Sequence, residues 1–187
     1  MLGAVVVVTA VAALVAHNAY QRPTTAAVSS PAPVVVAPES TSVPSTEEPG
    51  PTTVSVTPDV ARFPLANQVR QALQTYFDSV NMRSYKLWRS VVTPGLANTK
   101  SASDFERGYR TTRDGSIVLY RVDTTLDNGL RVLLTFHSTQ SQADAPKGFP
   151  HACIVWHLVW PLTFDPDDNA WKVDAGTTDV STKVQAC

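Results

Sequence analysis

Charge is scarce in this chain and follows no pattern. Only 17% of its 187 residues are charged, 15 basic side chains face 16 acidic ones, and the formal net charge is -1. Without a basic stripe or polybasic run there is no electrostatic footprint for nucleic acid or for an anionic lipid surface. Catalytic signatures are missing as well. The chain has no Gly-x-Ser-x-Gly elbow, no phosphate-cradling glycine loop, no Cys-x-x-Cys and no internal repeat. Asp127-Asn128-Gly129 and Lys147-Gly148 are turn chemistry. No cofactor is expected.

What the chain does have is a layout in three zones. The N-terminal zone, residues 1–20, carries no charged side chain before Arg22. As a helix, Met1 to Ala16 would span about 24 Å, and extension to Tyr20 approaches the bilayer core of about 30 Å. A membrane anchor and a cleaved signal segment both fit, although a basic leader and a clear small-residue cleavage site are lacking. Residues 21–62 are rich in Pro, Ser, Thr and Val, with eight prolines from Pro23 to Pro58. Proline removes backbone donors and favours extended chain, so this zone reads as a disordered stalk with a reach on the order of 100 Å. Residues 63–187 form one domain-sized segment holding the only two cysteines. The expected location is the cell membrane in a single pass, with the C-terminal domain outside the cytoplasm; a secreted form is the alternative.

Within that segment, apolar residues at Val69, Ala72, Leu73, Tyr76, Phe77 and Val80 have the spacing of an amphipathic helix. A second helix is expected with Met82, Tyr85, Trp88, Val91 and Val92 on one side, stopped by Pro94-Gly95. A third is expected with Ser103 as N-cap and Glu106 three residues later. Strands follow over Ser116–Thr125, Leu130–Ser141 and Ala152–Phe164, with a last one carrying Trp171 and Val173. Helices first and one-faced strands after give an α+β fold, with helices packed on an antiparallel sheet.

This order, with "VRQALQTYFDSVN", "YKLWRSVVTP" and a sheet ending in "WHLVWPLTFDPDDNAWKVD", resembles the NTF2-like (SnoaL-like) superfamily. More narrowly it resembles exported, membrane-anchored actinobacterial members, through the Ser138-Thr139-Gln140 step and Cys153 ahead of Trp156. The resemblance covers about Leu65 to Asp174 and implies a cone of N-terminal helices on a curved antiparallel sheet, with a pocket between them. It implies Tyr76, Tyr85, Trp88, Tyr120, Trp156 and Trp160 as pocket-lining candidates. Because the superfamily hosts enzymes, ligand binders and association domains, fold alone does not choose among them.

Cys153 and Cys187 are expected to form a structural disulfide, with an intermolecular thiol or a redox couple as alternatives. Residues 137 and 157 are histidines on successive strands. A hairpin whose paired positions sum near 294 would set them opposite each other as the beginning of a metal site, but no third ligand is evident. The plainer reading is two polar residues on a solvated sheet face. Asp78, Asp123 and Asp174 read as solvated carboxylates, and no acid is placed on an inward face. The expected function is accordingly association or scaffolding, tethered to a membrane and not catalytic. The sheet face would meet a second copy or another protein. The alternative is a small apolar or aromatic ligand in the cone, and an isomerase- or dehydratase-like enzyme comes third.

Overall fold

The computed structural model describes residues 49–175 and 181–187. The expected anchor and most of the expected stalk lie outside the described residues. Among those described, no helix is long and apolar enough to cross a membrane.

The apolar stripe of the first expected helix folds as read. Strand β1 (Ser55–Val56) and a short helix α1 (Pro58–Ala61) lead into α2 (Ala66–Asn81). On α2, Val69, Leu73 and Phe77 are fully buried because their spacing keeps them on one side of the helix. Three short helices follow: α3 (Tyr85–Val91), α4 (Pro94–Ala97) and α5 (Ala102–Gly108). Each is started by a hydroxyl that accepts a backbone N–H: Ser84 from Leu87, Thr93 from Leu96, and Ser101 from Asp104. Helix α3 ends at Val91, ahead of Pro94-Gly95 as expected, and Pro94 itself begins the next helix, as the first residue after the Thr93 cap, where its missing N–H costs nothing. One expectation is corrected here. The cap of α5 is Ser101, because its side chain rather than that of Ser103 reaches the Asp104 N–H.

The rest of the domain is sheet: β2 (Arg113–Thr124), β3 (Leu130–Thr139), β4 (Cys153–Asp165), β5 (Ala170–Val173) and β6 (Ser181–Ala186). The strand order is β1-β2-β3-β4-β5, and β6 also pairs with β4. Strand β1 runs parallel to β2, and every other pairing is antiparallel. The architecture is therefore α+β with a mixed, open sheet. Strands β5 and β6 occupy the same edge of β4 end to end, β5 against Leu162–Asp165 and β6 against Ile154–Val159. One sheet face, carrying Val132, Leu134, Phe136, Leu158, Trp160 and Leu162, packs with Leu73 and Phe77 in the core. Cys153 and Cys187 form a disulfide that fastens the end of β6 to the start of β4, with Cα atoms 5.4 Å apart.

Strand β2 is bulged twice. Its pairing with β3 shifts by one residue between Gly115 and Val118 and again between Leu119 and Arg121. At the first bulge Ser116 has φ +50°, and the extra residue reverses which side chains point inward.

The domain also begins earlier than the expected boundary at Phe63. Val54 is 2% exposed, and its N–H donates to Gln74 on α2 over 2.7 Å. The Ser116 N–H donates to the Pro51 carbonyl over 2.7 Å. Gly50 turns the chain at φ +81°, and the Pro49–Gly50 backbone crosses directly over Gly115. A Cβ on Gly115 would stand 2.5 Å from the Gly50 oxygen and 2.7 Å from that of Pro49. Gly115→Ala is therefore expected to lower stability by about 1–3 kcal/mol, since backbone must move to make room. Urea unfolding of the variant checks this, and an unchanged midpoint would show that segment 49–54 yields without cost.

Candidate functional site

Between α2, the end of α5 and the inward sheet face lies a cavity of about 380 Å³. Five aromatic side chains, Tyr76, Tyr109, Phe136, Trp156 and Trp160, line it together with polar ones that include Thr112, Ser138 and Gln140. Tyr76 and Trp160 meet edge to face with centroids 4.9 Å apart, and Phe136 stacks on Trp156 at 6.1 Å. Thr182 of β6 and Ala175 close one side.

One acid is set into this wall. Asp114 is 4% exposed and lines the cavity near the start of β2. Its position is fixed from two directions. Asn81, the last residue of α2, accepts the Asp114 N–H over 2.7 Å and donates its amide to the Asp114 carbonyl over 3.0 Å. Across the ladder, the Ser138 hydroxyl donates to the Asp114 carboxyl over 2.5 Å. Among the described residues no cation partners it, and burial pushes its pKa up to about 7, with the Ser138 bond opposing.

Two phenols stand close by. Burial, the Tyr109 hydroxyl and the Asp114 carboxyl together push Tyr76 well above the ordinary tyrosine value, while an indole N–H from Trp88 opposes them. Burial also raises Tyr109, which interacts with both Tyr76 and Asp114. At the mouth, the segment joining β3 to β4 contributes Asp144 and Pro146. Arg110 and Thr111 each hold the Asp144 carboxyl at 2.8 Å, and the Arg110 bond keeps its pKa below the usual range. A carboxyl near 7 in such a place can do two things. It can keep its proton and donate to an acceptor, or ionise against a cation.

Of the six expected lining residues, Tyr76, Trp156 and Trp160 meet at this cavity. Tyr85 and Trp88 do not line it. They stack on one another at 5.7 Å beside Phe105, and the Tyr85 hydroxyl donates to the Lys100 carbonyl over 2.8 Å. Tyr120 sits where β2 slips register for the second time, away from the cavity. Asp78 accepts from Gln74, Asp123 from Arg121, and Asp174 from Thr93, so each has a local partner.

The histidine register is corrected. Phe136 pairs with Trp156, His137 with Val155, and Thr135 with His157, so paired positions sum to 292. The histidines share a face but sit diagonally, and His137 is 5% exposed rather than solvated. Burial first, then the charges of Lys183 and His137, lowers the pKa of His157. Among the described residues, no group of three potential ligands gathers to hold a metal.

Neither Asp114 nor Tyr109 was among the expected lining residues. One signal pointed to the acid. Ser138 shares the inward parity of Phe136 and Leu134, and a hydroxyl on a core face needs a polar partner. Compared with family models, curated proteins and solved structures, the chain finds no match.

Proposed function

We propose that this chain is an exported, membrane-tethered binding module of NTF2-like build, whose cavity takes a small ligand with a largely apolar or aromatic body. The observation that carries the reading is the cavity itself. It holds about 380 Å³, lined by five aromatic side chains and by polar groups that include one buried carboxyl, a concave site with apolar surface and convergent polar groups of the kind that suits small-molecule recognition. A paired Cys153 and Cys187 accords with an oxidising compartment, and an N-terminal segment poor in charge accords with export. Association through the outer sheet face draws less support, because Thr135, His137 and Val155 on that face are already buried.

The test uses indole as a neutral aromatic probe. Indole is expected to shift the amide resonances of Tyr76, Phe136, Trp156 and Trp160 in a saturable way. Thr182 faces the cavity as the β6 partner of Leu158, so Thr182→Trp fills the space and should weaken binding about tenfold or more. Shifts scattered over the surface, or indifferent to that plug, would remove the cavity from consideration and return the sheet face to it.

A further inference from the structure

The charge inventory of the cavity is one-sided. Asp114 and Asp144 line it, and among the described lining residues there is no lysine, arginine or histidine. Asp144 is already engaged by Arg110 and Thr111 at the mouth. Among the described residues, Asp114 has only the hydroxyl of Ser138 on its carboxyl and no countercharge beside it. Tyr76 and Tyr109 stand close to it, and the rings of Phe136, Trp156 and Trp160 line the same cavity. Aromatic faces carry negative potential and attract cations within about 6 Å of the ring centroid, and cages of such rings recognise quaternary ammonium groups. A neutral ligand would leave the buried acid uncompensated whenever it ionised. An anion would meet both a carboxylate and the π faces. A cation answers both features at once.

From this we infer that the cavity selects a small organic cation, an amine or quaternary ammonium group on an apolar body, with Asp114 as its counter-ion. The inference rests on the proposed ligand-binding role and narrows it to one charge class. The apolar body would lie along Trp156, Trp160 and Leu158, and the cationic head would sit between Asp114 and the Tyr76–Tyr109 pair. Because an ionised Asp114 is the counter-ion, protons compete with the ligand. Other titratable groups lining the cavity are Tyr76 from α2 and Tyr109 from the end of α5, which interact with Asp114, and Asp144 at the mouth. His137 on β3 pairs opposite Gly115 and points to the other sheet face. Of the cavity groups, only Asp114 has a folded pKa near neutrality, so cation affinity should rise as pH climbs from 5 to 8.

The experiment compares choline with its uncharged isostere, 3,3-dimethylbutan-1-ol, on the full chain held in phosphatidylglycerol nanodiscs at pH 8. Amide shifts at the cavity give both affinities. Choline should bind about tenfold or more tightly than the isostere. Asp114→Asn should remove that preference, and wild-type preference should shrink at pH 5. Equal or better binding of the isostere overturns the cation assignment. So does a choline preference that survives Asp114→Asn, which would mark attraction to the bilayer instead. If indole occupies the cavity while choline does not, the charge class is wrong and the binding role stands. If neither does, both fall.

Discussion

Asp114→Asn is expected to make the protein more stable, most of all at alkaline pH. A carboxyl in the unfolded chain titrates near about 3.9, whereas burial holds the folded Asp114 at about 7. The raised folded value fixes the sign. Below both values the acid is protonated in either state and has no effect on folding. As pH rises through the interval, the unfolded state loses its proton first, and stability falls until the folded acid also ionises. Integrated over the interval, this opposition reaches about 4 kcal/mol above pH 7 and is about 1–2 kcal/mol at pH 5. Asparagine keeps an oxygen for the Ser138 hydroxyl and carries no charge to desolvate. Urea unfolding of both proteins at pH 5 and pH 8 should show the variant ahead at both, with a gap at pH 8 larger by about 2 kcal/mol or more. A variant less stable at pH 8, or a gap that ignores pH, would mean that water or an unseen partner already relieves the acid. A chain that retains so costly a residue in a cavity wall has placed it for something other than stability.

The second large effect concerns the C-terminal strand. Thr182, Lys183, Gln185 and Ala186 of β6 are exposed and Val184 is half-buried, so the strand hides little apolar surface. It is held by its ladder to β4 and by the disulfide. With the cysteines 34 positions apart in the sequence, the cross-link is worth about 3–4 kcal/mol in the chain-entropy view. Cys153→Ser with Cys187→Ser should lower the unfolding free energy by about that much. Because Thr182 is part of the cavity wall, the same variant should bind indole more weakly. Hydrogen exchange supplies the diagnostic detail: the amides of residues 182–186 should lose protection before those of β3. Unchanged stability, or β6 amides as protected as before, would show that the ladder alone suffices.

How far these elements were legible depends on the kind of information each required. Helix α2 was readable because burial imposes one period on one face, and Val69, Leu73 and Phe77 obey it. The inward face of β4 was readable for the same reason, in Ile154, Leu158, Trp160 and Leu162. Registers were not readable. Sliding β3 against β4 by two positions keeps every side chain on its own face, so alternation could not tell a sum of 294 from the observed 292. The acid was hidden by a different device. Counting back from Leu119 and Ile117, which are buried, parity turns Asp114 outward, and only the bulge at Ser116 restores it to the inside. A bulge depends on φ at one residue, and a serine at φ +50° announces nothing in composition. Strand β6 was unreadable because an exposed edge strand needs no apolar pattern, and the cysteine at its end was its one marker.

The bond between Cys153 and Cys187 closes β4, β5 and β6 into a single covalent ring. One backbone cut between Asp174 and Ser181 would therefore shed no fragment. The nicked protein would run at full mass until reductant parted it into two pieces. Strands β1, β2 and β3 lie outside the ring, and a cut among them divides the chain at once. The wall of the cavity that Thr182 completes thus belongs to the half of the sheet that outlasts a single proteolytic strike.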